Sequence, residues 1–153
     1  MKLFFQYDLE EDWVEPRRSY MGDAGYDLFA SRDSMVEPGR VVHVPVNTRV
    51  DFPPGWFGLV NERSSQGVNG ILTLGNVIDE GYTGGIGVNL LNTTRNSVII
   101  HRGDKVGQLV LIPRFIDPHE HQLELRKAKG YGSSGLRARV EARGFVPAHE
   151  VPS

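Results

Sequence analysis

Short β-forming runs, each closed by a proline or glycine cluster, recur along this chain and constrain its fold more than any other feature. RVVHVPVNTRV, GWFGLV, GIGVNLL, SVIIH and GQLVLIPRF are rich in Val, Ile and Leu, and EPG and PPG punctuate them. No stretch sustains a helical period, although the few residues after Ser64 suit a single turn. Many short strands at this spacing predict an all-β sandwich or jelly roll. The 153 residues suit one domain. Neither an internal repeat nor a low-complexity tract interrupts them.

With no cysteine in the chain, a disulfide framework and a thiolate metal site are both excluded, which fits a reducing compartment. No apolar run approaches membrane-spanning length, and MKLFFQYDLEED lacks the apolar core and cleavage site of a secretory signal. A cytoplasmic location and no membrane partner are expected. The net charge of -2 gives no general attraction to nucleic acid, so an anionic ligand has to be met by locally grouped Arg and Lys.

The chemistry concentrates in five segments. The first to draw attention is GNVIDEGYTGGIGVNLLN, Gly75 to Asn92. Val77 and Ile78 are β-formers and Gly81, Gly84 and Gly85 mark tight backbone, so Asp79 falls at a strand-to-turn junction where a general base can be aimed. Taken alone, an Asp in a Gly-rich turn is more often a cap than a catalyst. Tyr82 offers a flat ring for a sugar or base with its hydroxyl left wet. ERSSQG places Arg63, Ser64 and Ser65 in a polar turn, a natural phosphate cradle or, equally, a surface turn with a salt-bridged Arg. AGYDLFA, from Ala24, and GDKVGQLVLIP, from Gly103, supply Asp27 and Gln108. KGYGSSG, from Lys129, has glycines whose N–H groups can wrap phosphate, beside Tyr131 and Arg126. After Gly135 the charged, proline-broken remainder reads as a tail. His119 and His121 have no third ligand in view and are expected in solvent.

In this order and spacing the five segments resemble the trimeric dUTPase family, which cleaves dUTP to dUMP and pyrophosphate; the match runs from about Lys2 to Gly135. The resemblance implies a distorted jelly roll, the dUTPase-like β-clip, over residues 1–125, and a flexible C-terminal arm and tail over 126–153 with its motif at 126–135. It implies a homotrimer whose active sites are built between subunits, with dUTP as substrate and Mg2+ as cofactor. Asp79 corresponds to the base that activates water for attack on the α-phosphorus, and Tyr82 to the ring that stacks on deoxyribose and excludes a 2′-hydroxyl. Arg63, Ser64, Ser65, Gln108, Arg126, Ser133 and Ser134 correspond to phosphate-binding positions, with Asp104 as a further partner for Arg63. Asp27 corresponds to an outer-shell metal residue acting through water. Tyr131 would cover the uracil, whose edge is met by a hairpin between Gly70 and Asp79 that carries Asn76 and Ile78.

Several positions depart from the family pattern: Glu62 stands where a small residue or proline is usual, and Gly85 where an acid is common. Lys127 and Lys129 replace glycines, and the span from Arg63 to Asp79 is short. Two other readings are weighed against hydrolysis. A dCTP deaminase of the same fold needs a glutamate to shuttle protons, and Asn89 occupies that place, where an amide cannot serve. A non-catalytic dUTPase-like regulatory module would need none of the chemistry retained at Asp79, Arg63, Gln108 and Tyr82.

Overall fold

A computed structural model describes residues 4–6 and 14–119. Ten strands and one helical turn follow in order: β1 (Phe4–Gln6), β2 (Gly25–Phe29), β3 (Ser34–Val36), β4 (Val41–Asp51), β5 (Trp56–Asn61), α1 (Ser64–Val68), β6 (Ile71–Leu74), β7 (Val77–Ile78), β8 (Ile86–Asn92), β9 (Val98–Ile100) and β10 (Lys105–Pro113). Two four-stranded sheets, in the orders β1-β4-β8-β6 and β2-β10-β5-β7, are accompanied by the small β3-β9 pair, which packs against β4 and β8, and all pairings are antiparallel. The all-β architecture expected from the short Val- and Ile-rich runs is therefore the one formed.

Alternation explains why these runs become strands. In β4, Val44, Val46, Thr48 and Val50 are buried while the residues between them are not, the period of two that puts one face against a core. Val44, Val46 and Val50 join Val88 and Leu90 of β8 with Leu28, Val60, Val106 and Leu109 of the other sheet in one apolar cluster. Beside the Phe52 ring a glycine makes room: a Cβ on Gly58 would lie 2.6 Å from that ring and 2.8 Å from Leu109. β4 carries Pro45 inside a pairing strand, and the ladder shifts register between Pro45 and Thr48, with Asn47 at a φ of 46°. The bulge absorbs a residue that cannot donate to a ladder.

The segment between Gly70 and Asp79 is not the hairpin that the family pattern implies. β6 pairs with β8 and β7 pairs with β5, so these neighbouring strands lie on different sheets. Gly75, at a φ of 64°, sits at the crossing. The reason is burial: Ile71 and Ile78 both enter the core, and one short hairpin on one sheet would not deliver them from opposite sides.

Candidate active site

The second sheet gathers one group of polar residues on its outer face. Asp27 of β2, Gln108 of β10 and Asn61 of β5 are direct neighbours across three strands, so their side chains share a face. Leu28, Val60 and Leu109, one residue along in each strand, point the other way into the core. Two residues beyond Asn61, Arg63 brings its Nε to 3.0 Å from Asp27 Oδ1. Lys105 Nζ lies 2.7 Å from Asp27 Oδ2, and Ser19 Oγ donates to the same oxygen at 2.9 Å. Lys105 also donates to Ser19 Oγ at 3.0 Å, closing a triangle.

This is a desolvated carboxylate between two cations, with a side chain only 11% exposed. Burial is the largest single influence on Asp27 and opposes its charge, but hydrogen bonds from Lys105 and Ser19 and the charges of Arg63 and Lys105 together outweigh it, holding the carboxyl below the usual range. Arg63 was expected beside Asp104. Its partner is Asp27 instead, while Asp104 accepts the His101 N–H at 2.7 Å, because the His101–Asp104 turn folds that carboxylate onto its own backbone.

The turn after β5 is held from both sides. Arg63 N–H donates to Gln66 Oε1 at 3.0 Å, and Gln66 Nε2 donates to the Val106 carbonyl at 3.0 Å, tying α1 to β10. Glu62 accepts from the Thr73 hydroxyl at 2.8 Å, a bond that lowers its pKa and links the turn to β6. Ser64 and Ser65 are exposed at the start of α1. Gln108 Nε2 donates to the Glu62 carbonyl at 3.1 Å, and its amide lies over Gly25, where a Cβ would come within 2.9 Å of Oε1.

Asp79 follows the two-residue strand β7 and opens a turn closed by the Tyr82 N–H on its carbonyl at 3.1 Å, the strand-to-turn junction expected of it. Ile78 is 4% exposed, so its side chain belongs to the core. Asn76 gives its carbonyl to Val60 N–H at 2.8 Å, while its side-chain oxygen is buried without a hydrogen-bond partner. The Tyr82 ring packs against the core cluster, and its hydroxyl donates to the Gly85 carbonyl at 3.2 Å in an exposed hydrogen bond within its own loop. Gly84 lies under that ring, where a Cβ would collide with the hydroxyl. Asn89 is spent on structure: its Oδ1 meets His43 Nδ1 at 2.8 Å and its Nδ2 donates to the Leu74 carbonyl at 3.3 Å.

The two groups do not meet within the described chain. β7 runs opposite Gly58 and Leu59, with Ile78 facing Gly58, so Asp79 leaves the sheet at the level of Phe57. Arg63 is six residues farther along the same line, roughly 20 Å at the rise of extended chain. Arg126, Lys127, Lys129, Tyr131, Ser133, Ser134 and His121 lie outside the described residues, as does the boundary placed at 125/126. His119 is described and exposed. Among the described residues no three His, Cys, Asp or Glu side chains converge as a metal cage. Ser19 and Lys105 were not singled out in the sequence as members of this group.

The dUTPase family model matches residues 11–136. The deoxyuridine 5'-triphosphate nucleotidohydrolase of Fowl adenovirus A serotype 1 is 37% identical over 143 residues, covering 90% of this chain and 79% of its own. The enzyme of the same name from Rhodococcus erythropolis is 35% identical, with 85% and 84% covered. The chain also matches the Pol polyprotein of Caprine arthritis encephalitis virus at 34% identity over 83% of this chain, spanning only 12% of the polyprotein's length. Among solved structures, EIAV dUTPase superposes with a TM-score of 0.68 at 26% identity, covering 87% of this chain and all of that one. The dUTPase of S. aureus phage phi11, described with a structural Mg(II) ion, shares the fold with a TM-score of 0.71 at 24% identity, over 87% of this chain and all of its own. With the family model spanning most of its length and these relatives matched over about four fifths of theirs, the chain belongs to the dUTPase family.

Proposed function

We propose that this protein hydrolyses dUTP to dUMP and pyrophosphate, limiting uracil in DNA and supplying dUMP for thymidylate synthesis, as a homotrimer with shared active sites. The observation that carries the shared-site reading is the separation of Asp79 from Arg63 and Gln108 along one sheet. Groups about 20 Å apart by the rise of extended strand cannot touch one α-phosphate and its attacking water. Packing the Asp79 end of one protomer against the Arg63 end of another makes a complete site.

In that site Asp79 takes a proton from water as the water oxygen bonds to the α-phosphorus. The bond from that phosphorus to the bridging oxygen breaks, and pyrophosphate leaves with its charge met by Arg63 and by the Ser64, Ser65 and Gln108 donors. Tyr82 and Asn76 face the nucleoside, Ile78 through its main chain. Arg126, Tyr131, Ser133 and Ser134 close over the nucleotide. When bound, Mg2+ would supply charge neutralisation on the phosphates, with Asp27 holding it through water. The residues present fit it: a lone carboxylate such as Asp27, already bonded to three donors, suits a metal-bound water and not direct ligation.

The deaminase reading loses further ground because Asn89 is occupied by His43 and Leu74. Incubation with magnesium and, separately, dUTP, dCTP, dTTP and UTP should release dUMP and pyrophosphate from dUTP alone. Asp79→Asn should keep the assembly and lower kcat by about 100-fold to 10,000-fold, the usual contribution of a general base. Unimpaired turnover in that variant would remove Asp79 from the role.

A further inference from the structure

Asp79 is preceded and followed by anchored residues, and the second anchor is a pair to which neither the sequence nor the family match gives a role. On its N-terminal side Ile78 is in the core and paired with Gly58. On its C-terminal side Glu80 turns back onto the sheet: Arg114 Nε sits 2.6 Å from Glu80 Oε2, and the Gly55 N–H donates to the same oxygen at 3.1 Å. Arg114 N–H in turn donates to the Gly55 carbonyl at 2.9 Å, so three segments meet at one point. These segments are the PPG turn before β5, the Asp79 turn and the end of β10.

Exposed ion pairs contribute little, but this one is short and mostly sheltered, with side chains 27% and 18% exposed, and its carboxylate oxygen also holds a backbone N–H. Removing Arg114 takes the cation away from a carboxylate that is mostly sheltered from water. β7 contributes only two paired residues, too little ladder to fix a carboxylate beyond its end. Gly81, at a φ of 78°, follows immediately and gives the turn no stiffness of its own.

We propose that Glu80 and Arg114 are positioning residues that hold the Asp79 turn in its reactive geometry, Arg114 also neutralising the carboxylate next in sequence to the base. The inference rests on Asp79 acting as the base. It assigns Arg114, at the far end of β10 from Lys105, to the half of the site that activates water, and small displacements there are costly to rate.

The test is steady-state kinetics on Arg114→Ala, Arg114→Lys, Glu80→Gln, Glu80→Ala and the Glu80→Ala/Arg114→Ala double variant. Binding of a dUTP analogue with NH in the α,β bridge is measured alongside. Arg114→Ala should lower kcat by about 10-fold or more while KM and analogue Kd stay within about twofold. The double variant should be no worse than the single, because both act through one contact. Arg114→Lys should recover part of the loss, and Glu80→Gln, which keeps an acceptor for Gly55, should fall between wild type and Glu80→Ala and covers the case of a variant that fails to fold. Full kcat in folded Arg114→Ala, losses that add in the double variant, or a rise in KM and Kd at constant kcat would each overturn the clamp. If Asp79→Asn is inactive while Arg114→Ala turns over normally, the clamp alone falls; if Asp79→Asn turns over normally, the base assignment falls first and the clamp with it.

Discussion

Asp27 shows how much a single side chain can hold together. Its two oxygens join Arg63 from the turn after β5, Lys105 from β10 and Ser19 from the segment before β2. Because its folded pKa is depressed, its stabilising contribution is complete above the unfolded value near 3.8 and is lost as pH falls below that through the folded value. Urea midpoints should therefore favour wild type over Asp27→Asn at pH 6, with the gap closing below about pH 4. A gap independent of pH would mean that the ion pairs do not stabilise the fold. Tyr82 belongs to the same scale. A Cβ at Gly84 would collide with its hydroxyl, so Gly84→Ala should shift the ring and weaken discrimination against UTP in the direction of Tyr82→Ala. Selectivity measured as the ratio of kcat/KM for dUTP and UTP checks it; an unchanged ratio would show that the sugar is screened elsewhere.

Among the elements, β10 shows most clearly where reading the chain stops. Lys105 and Gln108 are three residues apart, and a strand of period two puts them on opposite faces. The bulge between Lys105 and Gly107 resets the register, so Lys105 opposes Phe29 and joins Gln108 on the side of Asp27. Nothing in GDKVGQLVLIP announces that bulge, which is why Lys105 was not grouped with the motif residues. The runs themselves were legible because Val, Ile and Leu alternate with polar residues, and the Asp79 junction was legible because glycines follow β-formers. The crossing at Gly75 was not, since a glycine between two short apolar runs serves a hairpin and a change of sheet equally well. β8 carries its own constraint: Gly87 lies against the His43 ring, where a Cβ would collide. Gly87→Ala should cost about 1–3 kcal/mol, the range for overpacking, read from urea unfolding with m unchanged. A midpoint equal to that of wild type would show that His43 can move aside.

For the molecule as a whole, the decisive fact is that the residues matched to one reaction sit at two ends of one sheet. Two inactive variants, Asp79→Asn and Arg63→Ala, should complement when unfolded and reassembled together, since some sites would pair an intact Asp79 from one protomer with an intact Arg63 from another. Random mixing in equal amounts predicts about a quarter of the sites restored in a closed symmetric assembly. No recovery would mean that each protomer completes its own site. Residue order and type were enough for the fold class, the family and the candidate residues, because turn glycines, alternating apolar positions and motif side chains are local properties of the chain. The grouping of Arg63 with Asp27, the recruitment of Ser19 and Lys105, the change of sheet at Gly75 and the distance between Asp79 and Arg63 are set by strand pairing and register. Those depend on which distant segments share a core, and no local pattern encodes that choice.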